Sequence, residues 1–421
     1  PGRVARIKPD IPSSPRLKKI MSDDLDLFRK ETAEWLEANC PASMRQPITE
    51  ESVLWSGSKM RFINEDQKIW FERMRDKGWF APAWPAEYGG GGLDPKRARI
   101  VEQEMARLKC RAPQYNLGVW MIGPAMLDFA THEQKLEHLV PMMKGTIRWC
   151  QGFSEPNAGS DLASLKTQAV PDGDDYIVNG SKIWTSYGDD ADWMYALVRT
   201  DNSKKQEGIS LLLIDMTLPG VTVKPIELIS GKSSFCEVFF DNVRVPKRQL
   251  IGGENKGWTV AKALLQYERA AMSKFAEGAK PSHDALAVLK PVLQAGQGSH
   301  ETAVLRDRLA KSLMDFHAFG LTAMKMKEEA LTRMDVTGPS MIMKLVQSEL
   351  EVAKYEVIMQ GLGTQALGWQ EPEGAAELEE ITKQWMLAKS VTIAGGASEI
   401  QLNIIAKRVL GLPDAPSAAK P

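Results

Sequence analysis

The hydrophobic spacing of this chain changes period twice, and that change limits the folds open to it. From Asp24 to about Gly145 apolar residues recur at helical intervals, as in LFRKETAEWLEANC and DQKIWFERMRDKGWF, with breaks at Pro82, Pro85 and the run Gly89 to Gly92. From Arg148 to about Pro246 the pattern shortens to β-rich, alternating runs: DYIVNGSKIWTS, DWMYALVRT, ISLLLIDM, VTVKPIEL and SFCEVFFDNVRVP. Beyond Gly257 helical spacing returns. A segment patterned for a helix buries the wrong residues as a strand. The chain is therefore expected in three parts: a helical domain over 21–147, a small antiparallel barrel or sandwich over 148–256, and a helical bundle over 257–413. Asn179-Gly180, between two β-rich runs, predicts a type I′ hairpin turn.

Residues 1–20 are basic and proline-rich and precede Met21, with a helix start expected at Ser22, Asp23 and Asp24. They read as an expression remnant or loose extension, an organelle-targeting leader being the alternative; residues 414–421 form a short tail. With 53 basic against 54 acidic residues, no net field draws the chain to nucleic acid or an anionic membrane. Cys40, Cys110, Cys150 and Cys236 show no CxxC spacing, and the five histidines form no HExxH, so neither a disulfide framework nor a zinc site is expected. Apolar runs such as LLLI at 211–214 are too short to cross a bilayer. A soluble protein of a reducing compartment follows: cytoplasmic, or alternatively of the mitochondrial matrix.

Three stretches could carry chemistry. In FSEPNAGSD, 153–161, small residues and glycine let the backbone approach a ligand, and Ser154 and Ser160 offer hydroxyls; the same composition also makes a plain surface turn. In KIWTSYG, 182–188, an indole at Trp184 stands beside the hydroxyls of Thr185 and Ser186, which suits a planar heterocycle and equally a core tryptophan. In the helix expected over 258–276, Glu268 falls on the apolar stripe of Ala261, Leu264, Leu265, Ala271, Met272 and Phe275. Desolvation raises the pKa of such a carboxylate and fits it to act as a general base; a structural acid satisfied by Arg269 is the alternative.

Other motifs carry less. PDGDDY at 171–176 lacks calcium-loop spacing and reads as a solvated hairpin turn, and GLGTQALG at 361–368 has the wrong spacing for a dinucleotide fingerprint. In TIAGGASEIQLNII, 392–405, Gly395 and Gly396 interrupt what otherwise reads as one helix from Glu377 to Leu410. They mark either a close backbone approach or room for a ligand.

Taken in order, WPAEYGGGG at 84–92, WCQGFSEPNAGSDLASL at 149–165, VNGSKIWTSYGDDADWMYALVRT at 178–200, NKGWTVAKALL at 255–265 and GGASEIQLNIIAKRVLGLP at 395–413 resemble the acyl-CoA dehydrogenase family, from about residue 25 to Pro413. The resemblance implies a mainly α fold with a central β domain: an N-terminal helical domain, a middle β-barrel and a C-terminal four-helix bundle. It implies FAD held between the last two, and oxidation of an acyl-CoA to its trans-2-enoyl form with electrons passed to an electron-transfer flavoprotein. By resemblance, Phe153, Ser154, Gly159, Ser160, Trp184, Thr185 and Ser186 bind the cofactor, with Ser154 and Ser186 on the flavin ring and Trp184 packed against it. Ser160 also lies near the CoA arm, and Arg269, Gly395 and Gly396 line the substrate. Gln360, Gly361 and Gly363 match a stretch that touches FAD from a neighbouring subunit.

Two departures from the family pattern matter. Many relatives carry the catalytic glutamate in a motif like I-Y-E-G-T-S-Q-I-Q, matching 393–401, where this chain has Gly395. A minority carry it at the position of Glu268, which is therefore the expected base, with Glu399 a distant second. The R-x-x-F-G motif that reaches FAD across a subunit interface is missing from LKPVLQAGQGSHETAVLRDRLA. A homodimer or homotetramer is expected, or a mixed assembly with a related chain. A non-catalytic partner subunit, and an oxidase or monooxygenase on the same fold, are the rival readings.

Overall fold

The computed structural model describes residues 15–231, 233–278, 284–331, 337–367 and 376–413; among these, the side chains of 15–22, 50, 268–278, 327, 330–331, 337–340, 367 and 376–378 lie outside the description. The N-terminal part consists of α1 (Pro15–Asn39), α2 (Glu65–Asp76), α3 (Pro95–Arg107), α4 (Leu117–Trp120), α5 (Ile122–Phe129) and α6 (His132–Met143). Helix α1 already runs through Ser22–Asp24, correcting the expected start there: proline is tolerated in a first helical turn, and the intervening residues are good helix formers. Local chemistry sets the later starts. Asn64 accepts from the Gln67 N–H, Asp94 caps α3 ahead of Pro95, and Thr131 and Gln134 form a capping box on α6. Leu36, Met44, Trp70, Met74 and Val101 fill the core, with Trp35 edge-on to Trp79 at 4.9 Å.

The middle part is one sheet of β1 (Trp149–Gly152), β2 (Gln168–Asp172), β3 (Asp175–Ser186), β4 (Trp193–Arg199), β5 (Ile209–Asp215), β6 (Val221–Ile226), β7 (Phe235–Pro246) and β8 (Leu250–Ile251). Its hydrogen-bonded path is β6-β7-β3-β2-β4-β5-β8, with β1 also on β4. The pairings β1–β4 and β2–β4 are parallel, which corrects the wholly antiparallel expectation. The reason is topological: β1 and β2 lie one after the other along the same edge of β4, Gly152 opposite Ala196 and Gln168 opposite Arg199, and residues 153–167 are an excursion between them.

Strand β3 is continuous through Asn179-Gly180, so the hairpin turn expected there is absent. The turn lies instead at Gly173-Asp174, between the paired Asp172 and Asp175, in the PDGDDY stretch. Asn179-Gly180 serves a β-bulge against β7, where Asn242 at φ +51° exchanges hydrogen bonds with Asn179. A Cβ on Gly180 would stand 2.7 Å from the Thr167 Cα, so glycine is required by close approach.

Beyond the sheet follow α7 (Gly257–Gly278), α8 (Ala285–Ala295), α9 (His300–Leu331), α10 (Thr337–Leu362), a 3-10 turn at Gly363–Leu367, α11 (Ala376–Val391), α12 (Ser398–Ile404) and a π turn at Ile405–Val409. Helix α10 packs on α8, α9 and α11 around Leu289, Leu305, Leu309, Tyr355, Ile358 and Ile381. The expected single helix from Glu377 to Leu410 is broken between α11 and α12. Gly395 at φ +64° and Gly396 at φ +105° turn the chain, and the Ser398 N–H closes the turn on the Thr392 carbonyl at 2.9 Å.

By compactness the chain divides into one unit of 1–157, 163–225 and 235–271 and a second of 158–162, 226–234 and 272–421. The N-terminal helices and the sheet thus share a unit: Gln134 donates to the Arg248 and Leu250 carbonyls, and His138 bonds Gln249.

Candidate functional site

The excursion that begins at Phe153 carries the first candidate residues. Phe153 is buried, its ring edge-on to Tyr195 at 6.0 Å, so a ligand could meet only its backbone. Ser154 is half-buried, and its carbonyl accepts from the Ile183 N–H at 2.9 Å. Glu155 faces inward: its carboxylate accepts from the Lys166 and Thr167 N–H groups at 2.6 and 2.9 Å and from Lys182 Nζ at 2.8 Å. The Lys182 ammonium beside it, together with those backbone donors, holds the Glu155 carboxyl below the usual carboxylate range despite burial. Arg199 closes the far side, donating to the Ala163 and Leu165 carbonyls. These bonds fix the two ends of the excursion, while Pro156, Asn157, Gly159, Ser160 and Asp161 between them form an exposed turn.

Strand β3 supplies the second group through a bulge. Lys182 pairs with Val238 but Thr185 with Cys236, so β3 carries one extra residue, and Trp184 adopts φ +60°. A non-glycine residue in this left-handed region is strained by about 1–3 kcal/mol, and bulges of this kind re-aim side chains. The consequence is visible in exposure: Lys182 and Thr185 are both wholly buried, whereas Trp184 between them is 55% exposed. The core-tryptophan reading is thereby overturned. The Thr185 hydroxyl is closed off without a hydrogen-bond partner and its methyl underlies Gly188, so only its backbone could reach a ligand. Ser186 is half-buried. Tyr187, at φ +50°, is braced by the buried Arg148, whose guanidinium lies 4.2 Å from the Trp55 ring centroid and 5.1 Å from that of Tyr187.

An exposed indole flanked by half-buried hydroxyls fits one face of a flavin ring. Gly159 and Ser160, both exposed, belong with the second unit. A cavity of about 160 Å³ within the N-terminal helices, walled by Trp79, Phe80, Met105 and Gln114 among others, includes none of the candidates.

Helix α7 buries Gly257, Val260, Ala261 and Leu264 on one face. Glu268 and Arg269 lie on this helix, but their side chains fall outside the described residues. Tyr267, one residue earlier, donates to Asp128 of α5. In the second unit, Gln360 is exposed and accepts from Arg308 at 2.5 Å. Gly361 permits α10 to approach Leu289 and Leu305, and Gly363 ends α10 at φ +55°. Gly396 has its carbonyl bound by Lys344 Nζ at 2.6 Å, and Gly395 lies beside Gln401. Among the described residues no cluster of metal-binding side chains occurs, and no helix is long and apolar enough to cross a membrane.

Sequence reasoning overlooked Lys182, Glu155, Arg199 and Arg148. A signal for Lys182 existed, because it shares strand parity with the inward-facing Tyr176 and Val178.

Three family models match in order between residues 22 and 410: the acyl-CoA dehydrogenase N-terminal domain at 22–146, middle domain at 150–243 and C-terminal domain at 255–410. Acyl-CoA dehydrogenase IpdE1 of Mycobacterium tuberculosis is 32% identical over 398 residues, 93% of this chain and 98% of that one. Acyl-CoA dehydrogenase FadE34 of the same organism is 36% identical over 344 residues, 81% of this chain, although the chain spans only 45% of that longer relative. Among solved structures, the ChsE4-ChsE5 complex from Mycobacterium tuberculosis matches with TM-score 0.69 and 28% identity, covering 96% of this chain and 100% of that one. A steroid ACAD, Tcur3481-Tcur3483, matches with TM-score 0.69 and 26% identity over 93% of this chain and 98% of that one.

Proposed function

Because the chain belongs to the acyl-CoA dehydrogenase family of FAD-dependent oxidoreductases, we propose that it dehydrogenates an acyl-CoA thioester across its α and β carbons, giving the trans-2-enoyl thioester, with Glu268 as base. The observation that carries this reading within the site is the bulge that turns Trp184 outward between the half-buried Ser154 and Ser186.

Bound FAD supplies the hydride acceptor. The chain's own part is to orient and to move one proton. Ser154 and Ser186 donate to the ring edge, Trp184 packs on its face, and Gly159 and Ser160 admit the phosphate-bearing arm by their lack of bulk. Glu268 takes the α-proton at a carboxylate oxygen, while hydrogen bonds to the thioester carbonyl stabilise the charge that develops there. Gly395, at φ +64°, brings no carboxylate of its own to this position, which leaves the role to Glu268 on α7. Gly395 and Gly396 leave room for substrate, Arg269 lines it, and Gln360 and Gly363 face the cofactor of an adjoining subunit, Gly361 being turned towards Leu289 and Leu305 of its own bundle.

The substrate class we favour is a bulky, ring-bearing acyl-CoA, in keeping with the neighbour titled a steroid ACAD. The assembly we favour pairs this chain with a related one, since the matching structures are titled as two-component proteins and the R-x-x-F-G motif is missing. An electron-transfer flavoprotein in the cytoplasm completes the reading as electron acceptor. A second reading, a partner subunit that turns nothing over itself, is favoured by the same missing motif.

Reconstitution with FAD and anaerobic titration with a panel of straight, branched and ring-bearing acyl-CoAs tests the proposal. The expected result is bleaching of the flavin, fastest with a ring-bearing thioester, and loss of bleaching by about 1,000-fold in Glu268→Gln with FAD binding retained. A Glu268→Gln protein that bleaches at the wild-type rate removes the base assignment. A wild-type chain that takes up no FAD alone yet copurifies with a homologous chain favours the partner reading.

A further inference from the structure

One buried cation ties together the two ends of the Phe153–Thr167 excursion. Because β1 leaves the edge of β4 opposite Ala196 and β2 rejoins it opposite Arg199, Leu197 faces a gap in the ladder. Its carbonyl is satisfied there by Lys182 Nζ at 2.7 Å, an ammonium standing in for the missing strand. The same ammonium donates to the Phe153 carbonyl at 3.3 Å and to Glu155 Oε1 at 2.8 Å. Glu155 in turn accepts from Lys166 and Thr167. Both ends of the excursion therefore meet at one ion pair, and Lys182 is wholly buried.

A buried ion pair is weak evidence for stability, since desolvation offsets most of its attraction. Filling the gap with an apolar side chain and an unbroken strand would serve the sheet as well. What the pair specifies is shape. It fixes Phe153 and Glu155 on either side of Ser154, whose own carbonyl is tied to Ile183 immediately before the outward-turned Trp184.

We propose that Lys182 is a positioning residue for the cofactor: its buried contacts hold Ser154 at the spacing from Trp184 and Ser186 that a flavin ring needs, without touching the ring. This rests on the flavin reading given above. Burial pushes the Lys182 ammonium down to about 8 against the pull of Glu155, and Arg199 is the other charge acting on it. Loss of that proton leaves the Phe153 and Leu197 carbonyls and the Glu155 carboxylate with a weaker donor. The hold on the loop is therefore expected to slacken above that pH.

The test measures FAD dissociation constants by flavin fluorescence, below and above pH 8, for the wild type, Lys182→Met and the double variant Lys182→Met/Glu155→Gln. Hydrogen exchange over residues 153–167 is followed in each apoprotein. The double variant removes both members of the Lys182–Glu155 pair together and keeps an oxygen for the Thr167 N–H, so it guards against a single variant that fails to fold. Both variants are expected to bind FAD about tenfold or more weakly at the lower pH. Wild-type affinity should fall towards theirs as pH rises, and the loop amides of the variants should exchange faster while α2 and α3 stay protected. If the wild type takes up FAD and the double variant matches it in affinity, pH profile and loop exchange, the inference fails alone. If the wild type takes up no FAD, the flavin reading fails and the inference with it.

Discussion

Two short segments rich in small residues, 153–167 and 392–397, are each pinned by a lysine, and they are pinned by different physics. Lys182 is wholly buried, paired with Glu155, and bound to carbonyls of both the loop and the sheet. Lys344 is half-buried and reaches the Gly396 carbonyl from α10, while Glu349 on the same helix accepts from Ser398 at 2.6 Å. In the first segment the shape is held by side-chain charge inside a core. In the second it is held by two glycines at positive φ, and the lysine sits over a turn that the backbone already favours. The first should therefore be sensitive to charge and tolerant of an added methyl, the second the reverse.

The largest effect expected from this contrast is on folding stability. Lys182→Met leaves Glu155 buried and unpaired, and should cost about 3–5 kcal/mol in denaturant unfolding. Lys344→Met removes one partly solvated hydrogen bond and should cost about 1 kcal/mol. Equal losses would erase the distinction. Methyl insertion should run the other way: Gly396→Ala places a side chain at φ +105° with its Cβ against the Gln401 amide, for about 1–3 kcal/mol, whereas a Cβ on Gly159 meets open space and should change stability by about 0.5 kcal/mol or less. Thermal melts of the two alanine variants decide this, and a larger loss at Gly159 would mean that the loop is backbone-limited after all.

How much of this was legible in the sequence depends on whether a signal was local. The change from helical to alternating spacing and back marks the sheet between its helical flanks, because burying one face of an element imprints its period on the residues themselves. The Gly173-Asp174 turn was legible for the same reason. Asn179-Gly180 misled, because the pair suits a positive φ in a turn or a bulge alike, and only the packing of Thr167 on Gly180 selects the bulge. Gly361 likewise answers to Leu289 and Leu305, which lie far away in sequence. Within the site, Ser154, Trp184 and Ser186 stood out by composition, but the outward turn of Trp184 follows from an extra residue in β3 that no local pattern announces. Lys182 was passed over because a lysine in an alternating strand is ordinarily solvated; its inward parity becomes meaningful only once the gap beside Leu197 is known.

The smallest effect expected is a pH dependence, and its sign separates the two roles of Lys182. The folded-state value near 8 lies below the ordinary lysine value of 10.5, so between them the unfolded chain binds more protons than the folded one. Stability contributed at this site should therefore rise with pH across that window, by about 1 kcal/mol over the first pH unit above 8, because a buried ammonium is relieved of its desolvation cost. Lys344 is shifted the same way by burial, with Glu349 opposing, and being more exposed should contribute less. Flavin affinity should move in the opposite direction over the same window, since the neutral amine holds the loop less firmly. Comparing the apoprotein melts of the wild type and the Lys182→Met/Glu155→Gln variant against pH, alongside their FAD affinities, isolates the site from every other titrating group. Stability and affinity rising together would mean that the charge on Lys182 serves neither the loop nor the cofactor, and the contrast between the two lysine-pinned segments would reduce to depth of burial alone.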